Sequence, residues 1–260
     1  MNQLVSTEWL DKYLNRVKIL DASWHLPNVE RNALEEYKLS HITNSIFFDI
    51  DKNSNRNTNL PHMLPSTKEW ENIVSNLGIN NSDHVIVYDN SDVFSSCRVW
   101  YTFLYFGHNP ELISVLDGNF EKWKSEKRSI SQEIKKINKS NYIANENLQL
   151  VLSKDQINKN IISKKFQLID ARGEKRFLGL QPEPRKELRS GNIKGSKNLP
   201  FQELINNMKD RTFKKREELI NIFIERQILI EQEMAFTCGS GVTACILGLA
   251  NSIISGKKPI

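Results

Sequence analysis

The feature that most constrains the fold is an internal repeat. A short apolar run that ends in Asp21 recurs as one that ends in Asp170, 149 positions later. The same offset places Asp89 opposite Cys238, and each of these residues follows an apolar run and precedes a helical pattern. Self-similarity over such a distance indicates that one structural unit has been duplicated.

Each half alternates short apolar strands with helices, an order that favours a parallel sheet covered by helices. The predicted fold class is therefore α/β, with two tandem domains that each contain a parallel sheet flanked by helices. The polar, Lys- and Asn-rich stretch 129–147 is the predicted linker, which leaves residues 1–128 and 148–260 as the domains. Ser6 and Ser153 are predicted to cap the first helix of each repeat.

The second repeat is shorter than the first. After Gly107 and Pro110 the first half continues into a strand at 112–116 and a further helix, whereas little sequence follows their counterparts Gly256 and Pro259. We therefore expect the second domain to lack its last strand and helix, or to complete its sheet in another way. An open sheet edge of this kind predicts a lower melting temperature and aggregation, and a monomer or weak dimer.

Composition limits the class of protein. Hydrophobic residues make up 39% and charged residues 26%, the longest apolar stretches are too short to span a bilayer, and the first residues lack an apolar signal core. Three widely spaced cysteines argue against a disulfide framework and favour a reducing cytosol. The net charge of +5 comes without interleaved aromatics or a nucleic-acid motif, so we expect small anions as partners, with no membrane and no nucleic acid.

A cysteine begins the glycine-rich loop between the last apolar run and the last helical pattern. Gly239 and Gly241 permit backbone angles that other residues resist, so the backbone N–H groups after Cys238 can turn inward. These N–H groups and the positive end of the following helix favour a bound anion. Cys238 is thus a candidate nucleophile, although a structural cysteine on an ordinary turn is the alternative, and Cys245 is assigned to core packing.

Eight segments together resemble the tandem rhodanese-domain sulfurtransferases along nearly the whole chain. They are Phe48–Asp51, His62–Pro65, Arg98–Trp100, Leu116–Gly118, Asp170–Arg172, Arg176–Phe177, Pro182–Arg185 and Cys238–Thr243. The resemblance implies that the first domain is a non-catalytic copy, in which Asp89 replaces the cysteine, and that the second is catalytic. Thiosulfate enzymes of this family resemble Cys-Arg-Lys-Gly-Val-Thr, whereas the neutral Gly239 and Ser240 indicate 3-mercaptopyruvate as donor. Ala244 stands where the related phosphatases end their loop in arginine.

The resemblance also implies a role for each candidate residue. Cys238 would attack the thiol sulfur of 3-mercaptopyruvate and form a persulfide, while Ser240, backed by His62 and Asp51, would relay protons. The implied substrate-binding residues are Arg176, Arg185, Gly239, Gly241, Val242 and Thr243. Because Asp51 and His62 belong to the first half, the site is predicted to lie between the domains. Without the resemblance, these side chains are ordinary loop, turn and surface residues.

The expected partners are a small-molecule sulfur donor and a thiol acceptor such as thioredoxin, and no metal or organic cofactor is required. Three alternatives stay open. The donor can be thiosulfate, the chain can be a persulfide carrier without strong donor preference, or it can be a weakly active truncated homologue.

Overall fold

The chain alternates short strands with helices in the computed structural model, which describes residues 3–184, 188–207 and 210–256. The first half contains β1 (Leu4–Ser6), α1 (Thr7–Tyr13), β2 (Lys18–Asp21), α2 (Ala33–Leu39), β3 (His41–Ile42), β4 (Ser45–Phe47), α3 (Thr67–Asn76), β5 (Val85–Tyr88), α4 (Ser96–Tyr105), β6 (Ile113–Asp117), α5 (Asn119–Ser125) and β7 (Ile130–Ser131). The second half contains α6 (Lys154–Ser163), β8 (Gln167–Asp170), α7 (Glu174–Phe177), β9 (Lys197–Asn198), α8 (Arg216–Glu225), β10 (Met234–Thr237) and α9 (Ala244–Ser255), with 3₁₀ turns at Leu148–Leu150 and Phe201–Leu204. The predicted α/β class is confirmed. Among these described helices, none is long and apolar enough to cross a membrane.

Contacts between residues divide the chain into two units. The first unit contains the chain up to Asn147 together with the short segment Asn207–Thr212. The second unit contains Leu148–Asn206 and the chain from Phe213 onward. The sequence did not indicate that 207–212 leaves the second unit, because this polar segment carries no periodic pattern.

The stretch 129–147, predicted to be a linker, is part of the first unit. Strand β7 within it pairs antiparallel with β3. Farther along, the ring of Tyr142 is buried, its hydroxyl lies 3.1 Å from Nδ1 of His108, and its backbone N–H donates to Oγ of Ser75. One buried aromatic side chain and hydrogen bonds of the backbone hold this segment in the first unit. The polar composition of the segment did not indicate this packing.

The sheet of the first unit has five parallel strands in the order β1-β6-β5-β2-β4. All four residues of β5 are buried, as expected for a β-branched strand in the middle of a parallel sheet. Its core joins Leu10 of α1, Ile86 of β5 and Trp123 of α5, which are fully buried. The helices thus cover a sheet that is apolar along its centre.

The second unit repeats the central part of this sheet. Its described strands lie in the order β10-β8-β9, all parallel, and correspond to β5-β2-β4. The pairing registers also agree, because Asp21 lies opposite Tyr88 and Asp170 lies opposite Thr237. The offset found in the sequence is therefore reproduced in the strand pairing.

Both predicted helix caps are confirmed. The side chain of Ser6 caps α1 by accepting a hydrogen bond from the N–H of Trp9. Ser153 caps α6 in a capping box, in which its hydroxyl accepts from the N–H of Gln156 while the Gln156 side chain accepts from the N–H of Ser153.

The equivalent aspartates at the ends of β2 and β8 have different partners. Oδ1 of Asp21 accepts hydrogen bonds from the N–H and the hydroxyl of Ser23, at 2.9 and 2.5 Å. Burial raises the pKa of Asp21 to about 6, because the hydrogen bonds from Ser23 only partly offset the loss of water and the charge of Asp89 adds to it. Asp170 instead pairs with Arg172.

The raised pKa of Asp21 predicts a pH-dependent stability of the first unit. The Asp21 carboxyl holds its proton more tightly in the folded unit than in the unfolded chain. Protonation of Asp21 therefore stabilises the folded unit at low pH, and this stabilisation is lost as the pH rises through about 6. We expect Asp21→Asn to stabilise the first unit relative to the native chain by up to about 3 kcal/mol at pH 7.5, and by much less at pH 4.5.

Urea unfolding followed by tryptophan fluorescence measures this difference for the first unit, because all five tryptophans of the chain precede residue 148. Glu30→Gln, which changes an exposed carboxyl of the same unit, is the control and should show no comparable pH trend. An Asp21→Asn advantage that is the same at both pH values would contradict the prediction.

Candidate active site

The loop at residues 238–243, here called the Cys238 loop, joins β10 to α9. Cys238 is half-buried, and its Sγ lies 3.1 Å from the backbone nitrogen of Gly241, whose N–H donates to it. Gly241 has a φ of 73°, a left-handed conformation that favours glycine. The side chain of Thr243 forms no cap on α9, so the helix N-terminus is open toward this loop. The loop therefore directs one backbone N–H, that of Gly241, at the sulfur.

Cys245 also contributes to the loop. Its thiol, on the first turn of α9, donates to the carbonyl of Gly241 at 3.2 Å. The N–H of Gly241 therefore bonds to the sulfur of Cys238, and its carbonyl bonds to the thiol of Cys245. Sequence reasoning assigned Cys245 to packing alone, and its burial agrees with that, but no pattern in the sequence signalled the contact with Gly241.

Arg176 lies beside the Cys238 loop. A Cβ atom at position 239 would be 3.1 Å from Nη2 of Arg176, tighter than nine in ten real contacts of a Cβ atom, so the guanidinium would have to shift slightly. Glycine at 239 therefore leaves room for the guanidinium next to the cysteine. This brings a predicted substrate-binding residue to the predicted nucleophile, both within the second unit.

A buried carboxylate holds Arg176. The side chain of Glu183 is 2% exposed and accepts hydrogen bonds from Arg176 and from Arg172. Burial by itself would raise the pKa of Glu183, but the hydrogen bonds and charges of the two arginines outweigh it and lower the pKa below its ordinary value. Sequence reasoning quoted these residues as family motifs without giving Glu183 or Arg172 a role.

The corresponding loop of the first unit already contains an anion. Asp89 is buried directly after β5, and its carboxylate accepts hydrogen bonds from the backbone N–H groups of Ser91 and Ser96 at 2.9 and 2.8 Å. Burial raises the pKa of Asp89, and these hydrogen bonds oppose the rise. A covalently attached carboxylate thus satisfies N–H groups that would otherwise be available to a ligand.

The first unit brings together His62 and Asp51. Nε2 of His62 lies 2.9 Å from Oδ1 of Asp51, and the indole N–H of Trp24 donates to Oδ2 at 2.9 Å. The ring of Trp24 meets the imidazole edge-on. Nδ1 of His62 is buried and has no hydrogen-bond partner among the described residues. Trp24 was missed by sequence reasoning because it lies outside the quoted motifs.

Comparison with known proteins finds relatives that are similar along nearly the whole chain. The family model of the rhodanese-like domain matches residues 6–126. An Arabidopsis thaliana protein named thiosulfate/3-mercaptopyruvate sulfurtransferase 1, mitochondrial, is 39% identical over 95% of this chain and 70% of its own length. A mouse thiosulfate sulfurtransferase is 38% identical over 99% of this chain and 88% of its own.

The chain belongs to the rhodanese family of sulfurtransferases. Its fold agrees with the crystal structure of Escherichia coli SseA, described as a 3-mercaptopyruvate sulfotransferase, with a TM-score of 0.88 and 30% identity over 98% of this chain and 95% of that one. The predicted family is confirmed, and the chain is a sulfur-transferring enzyme.

The other predicted site residues of this sulfurtransferase fall in several environments. Within the Cys238 loop, Val242 is buried and Ser240 is half-buried. Arg185 lies outside the described residues. Among the residues that are described, no group of three or more His, Cys, Asp or Glu side chains is placed to hold a metal ion.

The geometry of Gly241 predicts an effect of substitution. Gly241→Ala places a Cβ at a positive φ, which strains the loop by about 1 kcal/mol or more and turns the N–H away from Cys238. We expect slower alkylation of Cys238 by iodoacetamide, measured by mass spectrometry of the labelled peptide.

Gly173→Ala is the matched control in the same unit. Gly173 has a φ of −56°, and an added Cβ there meets nothing within 4 Å. Equal alkylation rates in the native chain and both variants would contradict the assigned role of Gly241.

Proposed function

We propose that the chain transfers sulfur from 3-mercaptopyruvate, through a persulfide on Cys238, to a thiol acceptor. The observation that carries this proposal is the position of the Arg176 guanidinium beside Gly239, next to a cysteine whose sulfur accepts a backbone N–H. Such a site offers a cation for a substrate carboxylate and a nucleophile for the attached sulfur.

The chemical step is a displacement at sulfur. The Cys238 thiolate attacks the thiol sulfur of 3-mercaptopyruvate, the new S–S bond forms, and the C–S bond breaks with its electron pair left on carbon as the enolate of pyruvate. The proton that the substrate thiol loses is taken up by the enolate carbon, which leaves as pyruvate, and Cys238 carries the outer sulfur as Cys–S–S⁻. An acceptor thiol then takes the outer sulfur together with the thiol proton as a new persulfide, which returns Cys238 to its thiolate form.

The side chains of the Cys238 loop support 3-mercaptopyruvate over thiosulfate. Gly239 and Ser240 carry no charge, so the loop supplies no cationic side chain for a dianion such as thiosulfate. The Arg176 guanidinium beside Gly239 offers a fork suited to one carboxylate. Thiosulfate is the second candidate, because one of the relatives above is named for it and another for both donors.

We further propose that Ser240, His62 and Asp51 act as a proton relay. The substrate thiol must lose a proton and the departing enolate must gain one, and a hydroxyl can perform both transfers. The hydrogen bond between His62 and Asp51 and the burial of the imidazole support this role within the first unit.

A thiol such as that of thioredoxin is the proposed acceptor, and a reducing compartment is required to keep it and Cys238 reduced. All three cysteines lie among the described residues and none forms a disulfide, which agrees with this requirement. We propose the cytoplasm as that compartment, while one relative carries a mitochondrial name.

Persulfide formation tests the proposal directly. After mixing with 3-mercaptopyruvate, intact-mass spectrometry should show one added sulfur atom, peptide mapping should place it on Cys238, and Cys238→Ser should remove it. Pyruvate should be released in equal amount, and kcat/KM for 3-mercaptopyruvate should exceed that for thiosulfate. A carrier would release no pyruvate, and an unchanged mass of the native chain would overturn the proposal.

The relay predicts a donor-selective loss of activity. Sulfur transfer from thiosulfate needs neither removal of a thiol proton nor protonation of carbon. Ser240→Ala and His62→Asn should therefore lower kcat with 3-mercaptopyruvate by about 10²-fold or more and affect thiosulfate much less.

Asparagine at 62 suits the positive φ of that residue, so the fold of the first unit should persist. His84→Asn is the control, since His84 is a partly buried histidine of the same unit that contacts Ser114. Equal losses with both donors would argue against the relay.

A further inference from the structure

Glu183 lies between two arginines of the second unit. Its Oε1 accepts hydrogen bonds from Nη1 of Arg172 at 2.8 Å and from Nε of Arg176 at 3.2 Å, and its Oε2 accepts from Nη2 of Arg176 at 2.5 Å. The carboxylate is almost completely buried. Arg176 is therefore held through two of its donors by both oxygens of one group, the geometry that best fixes the plane of a guanidinium.

Arg172 ties this pair to the sheet. Its guanidinium forms a two-pronged ion pair with Asp170 at the end of β8, and Nη2 also donates to the carbonyl of Gly191. Asp170 is 1% exposed, and its backbone is fixed by pairing with β10. A series of ion pairs therefore connects Asp170, at the end of β8, to Arg176. Arg172 and Glu183 are its two intermediate members.

This arrangement leaves one side of Arg176 open. Glu183 occupies Nε and Nη2, whereas Nη1 forms no hydrogen bond with any described residue, and the side chain is 26% exposed. The held edge lies against Gly239, so the position of the guanidinium relative to Cys238 depends on the ion pair. An arginine without this contact would be free to change rotamer.

We propose that Glu183 is a positioning residue that fixes the Arg176 guanidinium beside the Cys238 loop, so that its open side receives the carboxylate of the sulfur donor. The inference rests on the proposed function in that it takes Arg176 as the group that binds this carboxylate. A negative charge beside a cation also weakens its attraction for an anion. Removing the charge of Glu183 should therefore weaken anion binding by releasing Arg176 and strengthen it by removing a nearby negative charge. An experiment can separate these two effects.

The test compares two alkylating agents on Cys238 of the full chain, the anion iodoacetate and the neutral iodoacetamide. Both react at the same kind of carbon, so the ratio of their rates reports the cation near the sulfur and cancels changes in the thiol itself. We expect the iodoacetate to iodoacetamide ratio to fall by about tenfold in Glu183→Gln, because the glutamine cannot accept from both donors of Arg176. A ratio that stays unchanged or rises would overturn the proposal.

A double-mutant cycle separates positioning from a purely structural role. Once Arg176→Ala has removed the cation, adding Glu183→Gln should lower the ratio no further. A Glu183 that only supported the fold through Arg172 would still lower it. Glu183→Asp, which keeps the charge, should recover part of the ratio, and circular dichroism should show native helix content in each variant.

Turnover provides the second readout. Glu183→Gln should raise KM for 3-mercaptopyruvate more than it lowers kcat, as expected for a lost binding interaction. Glu203→Gln is the matched control, because Glu203 also pairs with an arginine of this unit, Arg226, in a half-exposed ion pair. Because alkylation requires no turnover, the ratio tests the position of Arg176 even if 3-mercaptopyruvate is not the donor.

Discussion

The parallel pairing of β8 with β10 is the constraint on which the surroundings of the Cys238 loop depend. Because parallel strands end at the same edge of a sheet, the segments that follow Asp170 and Thr237 must meet there. One segment brings the two arginines and the other brings the Cys238 loop. A slip of the register by one residue would turn each side chain to the opposite face of the sheet. The two arginine side chains and the Cys238 loop would then no longer meet.

The two units share one strand pairing but carry different groups where the strands end. In the first, Asp89 fills its loop with a carboxylate, and Asp21 is bonded to a serine that brings no positive charge. In the second, the equivalent positions carry Cys238 and an aspartate paired with Arg172. In the first loop the carboxylate of Asp89 accepts backbone N–H groups, whereas in the second loop the sulfur of Cys238 accepts the N–H of Gly241 and the Arg176 guanidinium lies beside Gly239. The two units therefore differ in charge at equivalent positions of the same strand pairing.

Regular features were predictable and irregular ones were not. The repeat, the caps at Ser6 and Ser153 and the strand before Cys238 follow from periodicity and local hydrogen bonding, which are properties of neighbouring residues. The packing of Tyr142 in a polar stretch was missed, because a single aromatic in an irregular segment makes no pattern. Trp24 beside Asp51 was missed because it lies outside the motifs, and Glu183 lies within a motif that did not indicate its contact with Arg176. Each contact joins residues brought together only by folding.

The sequence by itself determined that the chain is a duplicated α/β protein, that one copy carries a cysteine where the other has an aspartate, and that its motifs are those of a sulfurtransferase. Only the tertiary structure decided which groups surround that cysteine. The close approach of Arg176 to Gly239, the burial of Glu183 between two arginines and the contact of Cys245 with Gly241 are set by distances in space. Local sequence fixes backbone propensity and the order of elements, but the orientation of a charged side chain depends on partners that the sheet brings from elsewhere in the chain.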